Sequence, residues 1–479
     1  MNAPDTTMLE GLWRLRNLPD WLRPEELKQA MRQSIPEFAS GALALHEVRP
    51  KRVRLREDFH GGTFKLNVEG QGGTRRVVHL LGRLDPARSA DLDGIRSGVS
   101  FGEAGWRCAL PELGLVLETP PPDAALPAQP ILTDAVRARA LLEDAIRGRS
   151  PAYADIRIER CTPSIARYNP GSRCTVVYRL QYGPEAEGRD WPSVVVAKTH
   201  RGDKGRIAYE SMCALWASGL RRSAAVTIAE PLAYLPELRV LIQRGVPGES
   251  TLGDLVESVL LHDTANPKAR AELHDLLTRT ARGLAALHAC GVPGQAYGWA
   301  QEMAEVRERI GRLAEWLPGF ETSLAPTLAR IEELANTHAP QSAVPSHRSF
   351  RPAQVLLHEG QISFIDFDGF CEAEPATDLA LFRASMKQNV LRAAEREVGR
   401  ELSPTRAQDL LSELDTLCDL FLAEYTRMAP VSLERVALWE TLYLLENLLN
   451  TWEKVRPEHL GSSMALFEHH LRQSPLPLL

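Results

Sequence analysis

Residues 347 to 369 read His-Arg-Ser-Phe-Arg-Pro-Ala-Gln-Val-Leu-Leu-His-Glu-Gly-Gln-Ile-Ser-Phe-Ile-Asp-Phe-Asp-Gly, which gathers an imidazole, a hydroxyl, an amide and several carboxylates in one short stretch. The pattern predicts a loop opened by His347, a strand from Val355 to Leu357, a turn over His358-Glu359-Gly360, and a second strand from Ile362 to Phe367 with Asp366 near its end. Such a hairpin presents polar groups at both mouths. Phosphoryl transfer needs that arrangement, because a loop must hold a base and a metal-facing side chain while a neighbouring strand aims a carboxylate at the same Mg²⁺.

A second set of candidates lies upstream. Val194-Val195-Val196-Ala197-Lys198 is an apolar strand ending in lysine, and a helix from about Gly205 to Ser218 follows it, with Tyr209, Met212, Cys213 and Trp216 as its buried stripe. Glu210 sits at the edge of that stripe. A strand-borne lysine that meets the α- and β-phosphates, held extended by a helix-borne carboxylate, is the arrangement a kinase-type site uses. A Val-Ala-Lys strand end is common, and an exposed lysine is the alternative reading. Just before it, Arg167-Tyr168-Asn169-Pro170-Gly171-Ser172-Arg173-Cys174 predicts a hairpin turn.

The 347–369 stretch resembles the catalytic segment of the aminoglycoside phosphotransferase and choline kinase group, relatives of the protein kinases, whose pattern runs His-Gly-Asp-x-x-x-x-Asn and then Ile-Asp. The resemblance covers about residues 150 to 470. It implies that His347 is the motif histidine, Gln354 stands for the metal-binding asparagine, and Asp366 is the magnesium aspartate. It also implies that Lys198 binds phosphate, Glu210 orients it, and the Tyr-x-Pro-Gly-x-Arg hairpin ending in Arg173 folds over the nucleotide. The segment from Gln243 to Gly248 looks like the hinge whose backbone meets adenine. Asp378, in Glu374-Pro-Ala-Thr-Asp-Leu-Ala, would buttress the catalytic loop; a plain helix cap is the other reading. ATP and Mg²⁺ are the implied cofactors and a small hydroxylated molecule the implied acceptor.

One position departs from the pattern. Ser349 stands where the catalytic aspartate belongs, and a serine hydroxyl is neither charged nor basic near neutral pH. Because the transition state is loose and positioning dominates, losing the base slows transfer without forbidding it. Two readings follow: a slow or specialised phosphotransferase, or a pseudokinase serving as a nucleotide- or ligand-binding regulatory module that could engage a protein partner. Asp368, two residues beyond Asp366, is a candidate substitute carboxylate, with solvent exposure or a second metal contact as alternatives. Arg348 and Arg351 bracket the vacant position and would favour a polyanionic acceptor, unless they are simply solvated.

Composition narrows the class. The 479 residues carry a formal net charge of −6, with 44% hydrophobic and 25% charged residues. Without a long basic run there is no footprint for nucleic acid or an anionic membrane. No signal-peptide pattern opens the chain, and its most apolar helical run, Val436 to Trp452, is broken by Glu440 and Glu446, so a cytoplasmic protein is expected. Seven cysteines, never in a Cys-x-x-Cys pair, read as buried hydrophobes.

The length allows about three units of ordinary domain size. Residues 9 to 36 read as two helical pieces split at Pro19-Asp20, and residues 43 to 69 and 75 to 84 alternate like half-exposed strands around Gly61-Gly62. Leu110-Pro-Glu-Leu113 leads into a strand, and Leu235-Pro-Glu-Leu238 does the same after a second helix-then-sheet series. This points to a duplicated small-lobe unit whose first copy lacks a lysine on its third strand, Val77 to Leu81. The expected fold is α+β and protein-kinase-like. It comprises a small-lobe-like unit over 1–127, the kinase-like small lobe over 128–248, and a helical large lobe over 249–479.

Overall fold

The computed structural model describes residues 18–56, 59–84, 98–120, 126–169, 173–200, 202–248, 250–315, 317 and 319–476. The first helical piece expected from residue 9, and the Pro170-Gly171-Ser172 turn, lie outside the described residues. The helix Pro24–Ser34 begins with proline at its first position, where the absent N–H costs nothing.

Five strands follow: β1 (Leu43–Arg56), β2 (Phe59–Gly70), β3 (Arg75–Leu84), β4 (Arg107–Leu110) and β5 (Leu115–Glu118), in the antiparallel order β1-β2-β3-β5-β4. Period-2 alternation sends Phe64, Leu66 and Val68 inward against Trp21, Leu22, Leu27 and Met31. Gly61 and Gly62 do not form a turn. They pair within β2, and a Cβ on Gly61 would stand 1.9 Å from the Gly82 carbonyl oxygen, so a close backbone approach is what requires glycine there.

The second sheet contains β6 (Ile158–Asn169), β7 (Arg173–Tyr182), β8 (Val194–Thr199), β10 (Pro231–Leu235) and β11 (Val240–Arg244), with β9 being the short Thr227–Ile228 strand elsewhere. Its order, β6-β7-β8-β11-β10, repeats that of the first sheet. Both Leu-Pro-Glu-Leu segments form a 3-10 turn over Pro111–Leu113 and Pro236–Leu238. Each ends on a left-handed residue, Gly114 (φ 58°) and Arg239 (φ 52°). Counting back from that turn, Arg83 opposite Val116 occupies the register of Lys198 opposite Leu241. The first copy's third strand runs on to Leu84 and carries arginine rather than lysine at that register.

The large lobe is built on helices Leu252–Leu261, Pro267–His288, Trp299–Ala314, Phe320–Thr337, Pro375–Val398, Pro404–Met428, Leu433–Glu453 and Leu460–Gln473. Their starts are capped as the sequence dictates: Asn266 and Ser403 accept backbone N–H bonds and are followed by proline. Leu410, Leu414, Leu417 and Phe421, and likewise Leu438, Leu442, Leu445 and Leu449, are buried in one core. Among the described residues no helix is long and apolar enough to cross a membrane.

A four-stranded sheet joins the lobes. Strands β14 (Val355–His358) and β15 (Gln361–Phe364) make the central hairpin, flanked by β12 (Ser250–Thr251) and, in parallel, by β9. Two further strands, β13 (Val344–Ser346) and β16 (Cys371–Ala373), pair across the two ends of the candidate segment. An antiparallel-sheet small lobe over a helical lobe, with the hairpin between them, is the bilobal kinase-like architecture.

Candidate active site

Lys198 lies on β8, the central strand of its sheet, where hydrogen bonding to β7 and β11 on either side makes the position rigid. The hairpin supplies its partner. After β15 ends at Phe364 the chain leaves the extended form, and Asp366 adopts a left-handed conformation (φ 74°, ψ 49°) ahead of a 3-10 turn over Phe367–Gly369. The second strand expected to continue to Phe367 therefore stops short. Aspartate tolerates this conformation better than most residues, and the sharp bend brings Asp366 and Asp368 to one place instead of spacing them along a strand.

The two lobes meet at these carboxylates. Lys198 Nζ donates to Asp366 Oδ1 at 2.7 Å and to Asp368 Oδ1 at 3.3 Å. Arg173 Nη2, from the start of β7, reaches Asp366 Oδ1 at 2.8 Å and Asp368 Oδ2 at 2.9 Å. His200 Nε2 lies 2.9 Å from Asp368 Oδ2. Burial alone would raise both carboxylic pKa values, but the Lys198 ammonium and Arg173, joined at Asp368 by His200, together outweigh it and hold both below the usual carboxylate range. Asp368 is thus neither solvated nor placed to replace the missing base. His200 escaped sequence reasoning, although its position two residues beyond Lys198 on the same strand direction was the signal that could have found it.

Glu210 does not join this group. Its side chain is 59% exposed and pairs with Arg206 at 2.8 Å one helical turn away, while Asp366 and Asp368 occupy the Lys198 ammonium. The helix Lys204–Ala217 buries Ala208, Met212 and Leu215, which turns position 210 outward. A Glu210→Gln variant should therefore keep the melting temperature and nucleotide affinity of the parent; a loss of affinity in a binding titration would restore Glu210 to the site.

The loop before the hairpin is anchored from below. His347 is fully buried, its backbone N–H donates to Asp378 Oδ2 at 2.6 Å, and its Nε2 lies 3.0 Å from the Ile365 carbonyl oxygen. His288 Nε2 contacts the same Asp378 oxygen at 3.1 Å and its Nδ1 contacts the Tyr425 hydroxyl at 2.7 Å, so His288 and Asp378 together support the loop. A carbonyl only accepts, so His347 Nε2 carries the hydrogen and Nδ1 is left as an acceptor. Burial pushes the His347 pKa down, which keeps the imidazole neutral. Ser349 Oγ stands 3.1 Å from that Nδ1 and 3.3 Å from the Asp366 carbonyl oxygen.

Gln354 Nε2 lies 3.4 Å from Asp366 Oδ2, while Gln354 Oε1 and Arg173 Nε are buried with no partner among the described residues. An unmatched amide oxygen beside a carboxylate suits a hard cation, and an unmatched guanidinium N–H suits a phosphate oxygen. Among the described residues no group of three or more His, Cys, Asp or Glu side chains could hold a metal. Mg²⁺ in phosphoryl-transfer sites takes only one or two carboxylates and completes its shell with water and phosphate. Gln243 is buried on β11, and residues 245–248 leave that strand toward β12, which places the expected hinge on the link between lobes.

Arg348 is committed elsewhere: its guanidinium lies 3.4 Å from the centre of the Tyr297 ring and 3.2 Å from Glu305 Oε1. It is not available to a polyanionic acceptor. Near it, half-buried Glu446 has its pKa raised well above the usual range by desolvation and by neighbouring Glu302, while the Tyr443 hydroxyl is buried without a partner among the described residues. These acids were missed because Glu446 had served only to exclude a membrane helix.

No curated protein matches the chain. Among solved structures, a glucosamine kinase in complex with glucosamine, ADP and inorganic phosphate is similar at 17% identity and a TM-score of 0.47, covering 94% of this chain and 99% of the other. A choline kinase from Cryptosporidium parvum Iowa II is similar at 11% identity and a TM-score of 0.46, covering 70% and 94%. A spectinomycin phosphotransferase in complex with ADP and spectinomycin gives 12% identity and a TM-score of 0.40, covering 70% and 94%. Residues 185–410, a span that carries Lys198 and the 347–369 hairpin alike, match the model of the phosphotransferase enzyme family.

Proposed function

We propose that this protein is an ATP- and Mg²⁺-dependent phosphotransferase that moves a γ-phosphoryl group to a hydroxyl of a small molecule. The observation that carries the reading is the 2.7 Å contact of Lys198 Nζ with Asp366 Oδ1, which aims a sheet-borne cation and a hairpin-borne carboxylate at one point between the lobes. Lys198 and Arg173 would hold phosphate oxygens, and Asp366 with Gln354 Oε1 would hold Mg²⁺. When bound, the ion supplies charge neutralisation for the transferring group. Without ligand, the two cations neutralise the two acids directly, so this contact exchanges partners when the nucleotide arrives.

The chain's own residues then handle the proton. Ser349 Oγ–H donates to the neutral Nδ1 of His347, which leaves the serine lone pairs to accept from an acceptor hydroxyl. As the acceptor oxygen attacks, its proton passes to Ser349 Oγ while the serine proton passes to His347. The Asp378 carboxylate, held against the His347 backbone, offsets the charge that forms on the imidazole. The acids Glu302 and Glu305 beside Tyr297 favour an acceptor that also carries an amine. The shared strand order of the two sheets supports a duplicated small-lobe unit at the N-terminus.

The second reading, a nucleotide-binding module without transfer, draws on Ser349, which lacks a carboxylate. A thermal-shift titration separates binding from its absence. ATP with Mg²⁺ at a hundred times its Kd should stabilise the fold by about 2.7 kcal/mol, and ATP alone by less. A melting temperature indifferent to both would leave the site without its cofactor.

A further inference from the structure

A cavity of about 520 Å³ lies between the N-terminal unit and the end of helix Leu433–Glu453. Its floor is set by an unusual helix stop. Val455 N–H bonds to the Trp452 carbonyl and Arg456 N–H to that of Thr451, the paired bonds of a Schellman motif, with Val455 in the left-handed position (φ 48°) that normally belongs to glycine. A β-branched residue is a poor choice for that conformation. The compensation is visible: Val455 is 7% exposed and sits in the hydrophobic core of the N-terminal unit. Planting Val455 there splays Lys454 and Arg456 along the cavity wall, facing Lys28 and Lys51 of the other unit.

The charges at this seam do not balance. Of the acids lining the cavity, Glu47 is engaged by Arg49 and Asn67, which leaves Glu25 and Glu458 against Lys28, Lys51, Lys454 and Arg456. Among the described residues none of Lys51, Lys454 and Arg456 takes part in an ion pair. The helix dipole offsets cations in the last turn of its own helix but not those contributed by β1 and the helix Pro24–Ser34. Burial and then Arg456 hold the Lys454 ammonium down to about 8. Burial, Lys65 and Arg456 lower that of Lys51. Behind them, Arg392 Nε is buried with no partner. Crowded cations of this kind are relieved by a bound anion.

We propose that the cavity is a regulatory site for a small phosphorylated metabolite, whose dianion matches the two cations in excess and bridges the N-terminal unit to the large lobe. Lys51 and Lys28 grip it from one side, Lys454 and Arg456 from the other. Occupancy clamps the two units together at the end of the helix that also carries Glu446. The site is separate from the phosphotransfer centre, and the proposal does not depend on that centre's activity.

Calorimetric titration of the full chain with inorganic pyrophosphate, without Mg²⁺ and at constant ionic strength, tests it. Saturable binding should persist in a Lys198→Ala variant, where the phosphotransfer site is disabled. It should weaken at least tenfold in Lys454→Gln/Arg456→Gln and in Lys51→Gln. The last change lies on a strand surface of the other unit and keeps the test open if the double variant does not fold. Binding that disappears with Lys198→Ala, survives both seam variants unchanged, or never saturates overturns the proposal.

Discussion

Under the proposed function, replacing Asp366 with asparagine should lower phosphoryl transfer by about 10³-fold, because the proposed metal contact would be worth several kcal/mol and each 1.36 kcal/mol is a factor of ten. The isosteric amide preserves shape, and Asp368 remains to hold Lys198 and Arg173, so the folded state survives. The diagnostic is the metal dependence. In Asp366→Asn the extra stabilisation that Mg²⁺ adds to ATP in a thermal shift should vanish, while the smaller effect of ATP alone, carried by the two cations, should grow as a competing carboxylate is removed. A coupled ADP assay reads the rate. Transfer within threefold of the parent, with Mg²⁺ still adding stability, would show that the metal is held by other groups and that the inter-lobe contact is a structural ion pair.

The opposite sign is expected at position 349. Ser349→Asp should raise turnover by about 10²-fold, the low end of what a positioned general base supplies, since the serine and His347 already provide a relay. The KM for ATP should change little, because Ser349 touches neither Lys198 nor Arg173. The loop can carry the longer side chain: Arg348 is fixed in a left-handed turn (φ 58°), and Asp378 holds the His347 backbone from beneath. Ser349→Ala, which breaks the relay without adding a carboxylate, should lower whatever rate the parent shows. If the aspartate variant binds Mg²⁺ and ATP normally yet transfers no faster than the alanine variant, proton removal does not limit the reaction and the module reading gains.

Much of this site could be read from residue order because its parts are local. A polar loop, a two-strand hairpin and an apolar strand ending in lysine are each specified by neighbours in sequence. What failed had non-local causes. The outward rotation of Glu210 depends on which face of its helix meets the core, and a stripe of mixed polarity did not decide it. The end of the second hairpin strand at Phe364, and the left-handed turn at Asp366, respond to Lys198 and Arg173, which arrive from nearly 170 and 200 residues away. Gly61 and Gly62 looked like a turn because sequence cannot distinguish glycine needed for a positive φ from glycine needed beside another strand's carbonyl. The Glu302 and Glu446 pair lies on two helices whose packing no single segment encodes.

The four-stranded sheet around the hairpin limits how the protein can open. Its outer strands, Thr227–Ile228 and Ser250–Thr251, lie within and just beyond the small-lobe segment, and both are stitched by main-chain bonds to the strands that deliver Gln354 and Asp366. Any rocking of one lobe against the other must pivot along that stitched line. Points near that line, Lys198 and Asp366 among them, travel little. Opening of the cleft thus takes place around the Lys198–Asp366 contact, which itself stays almost still.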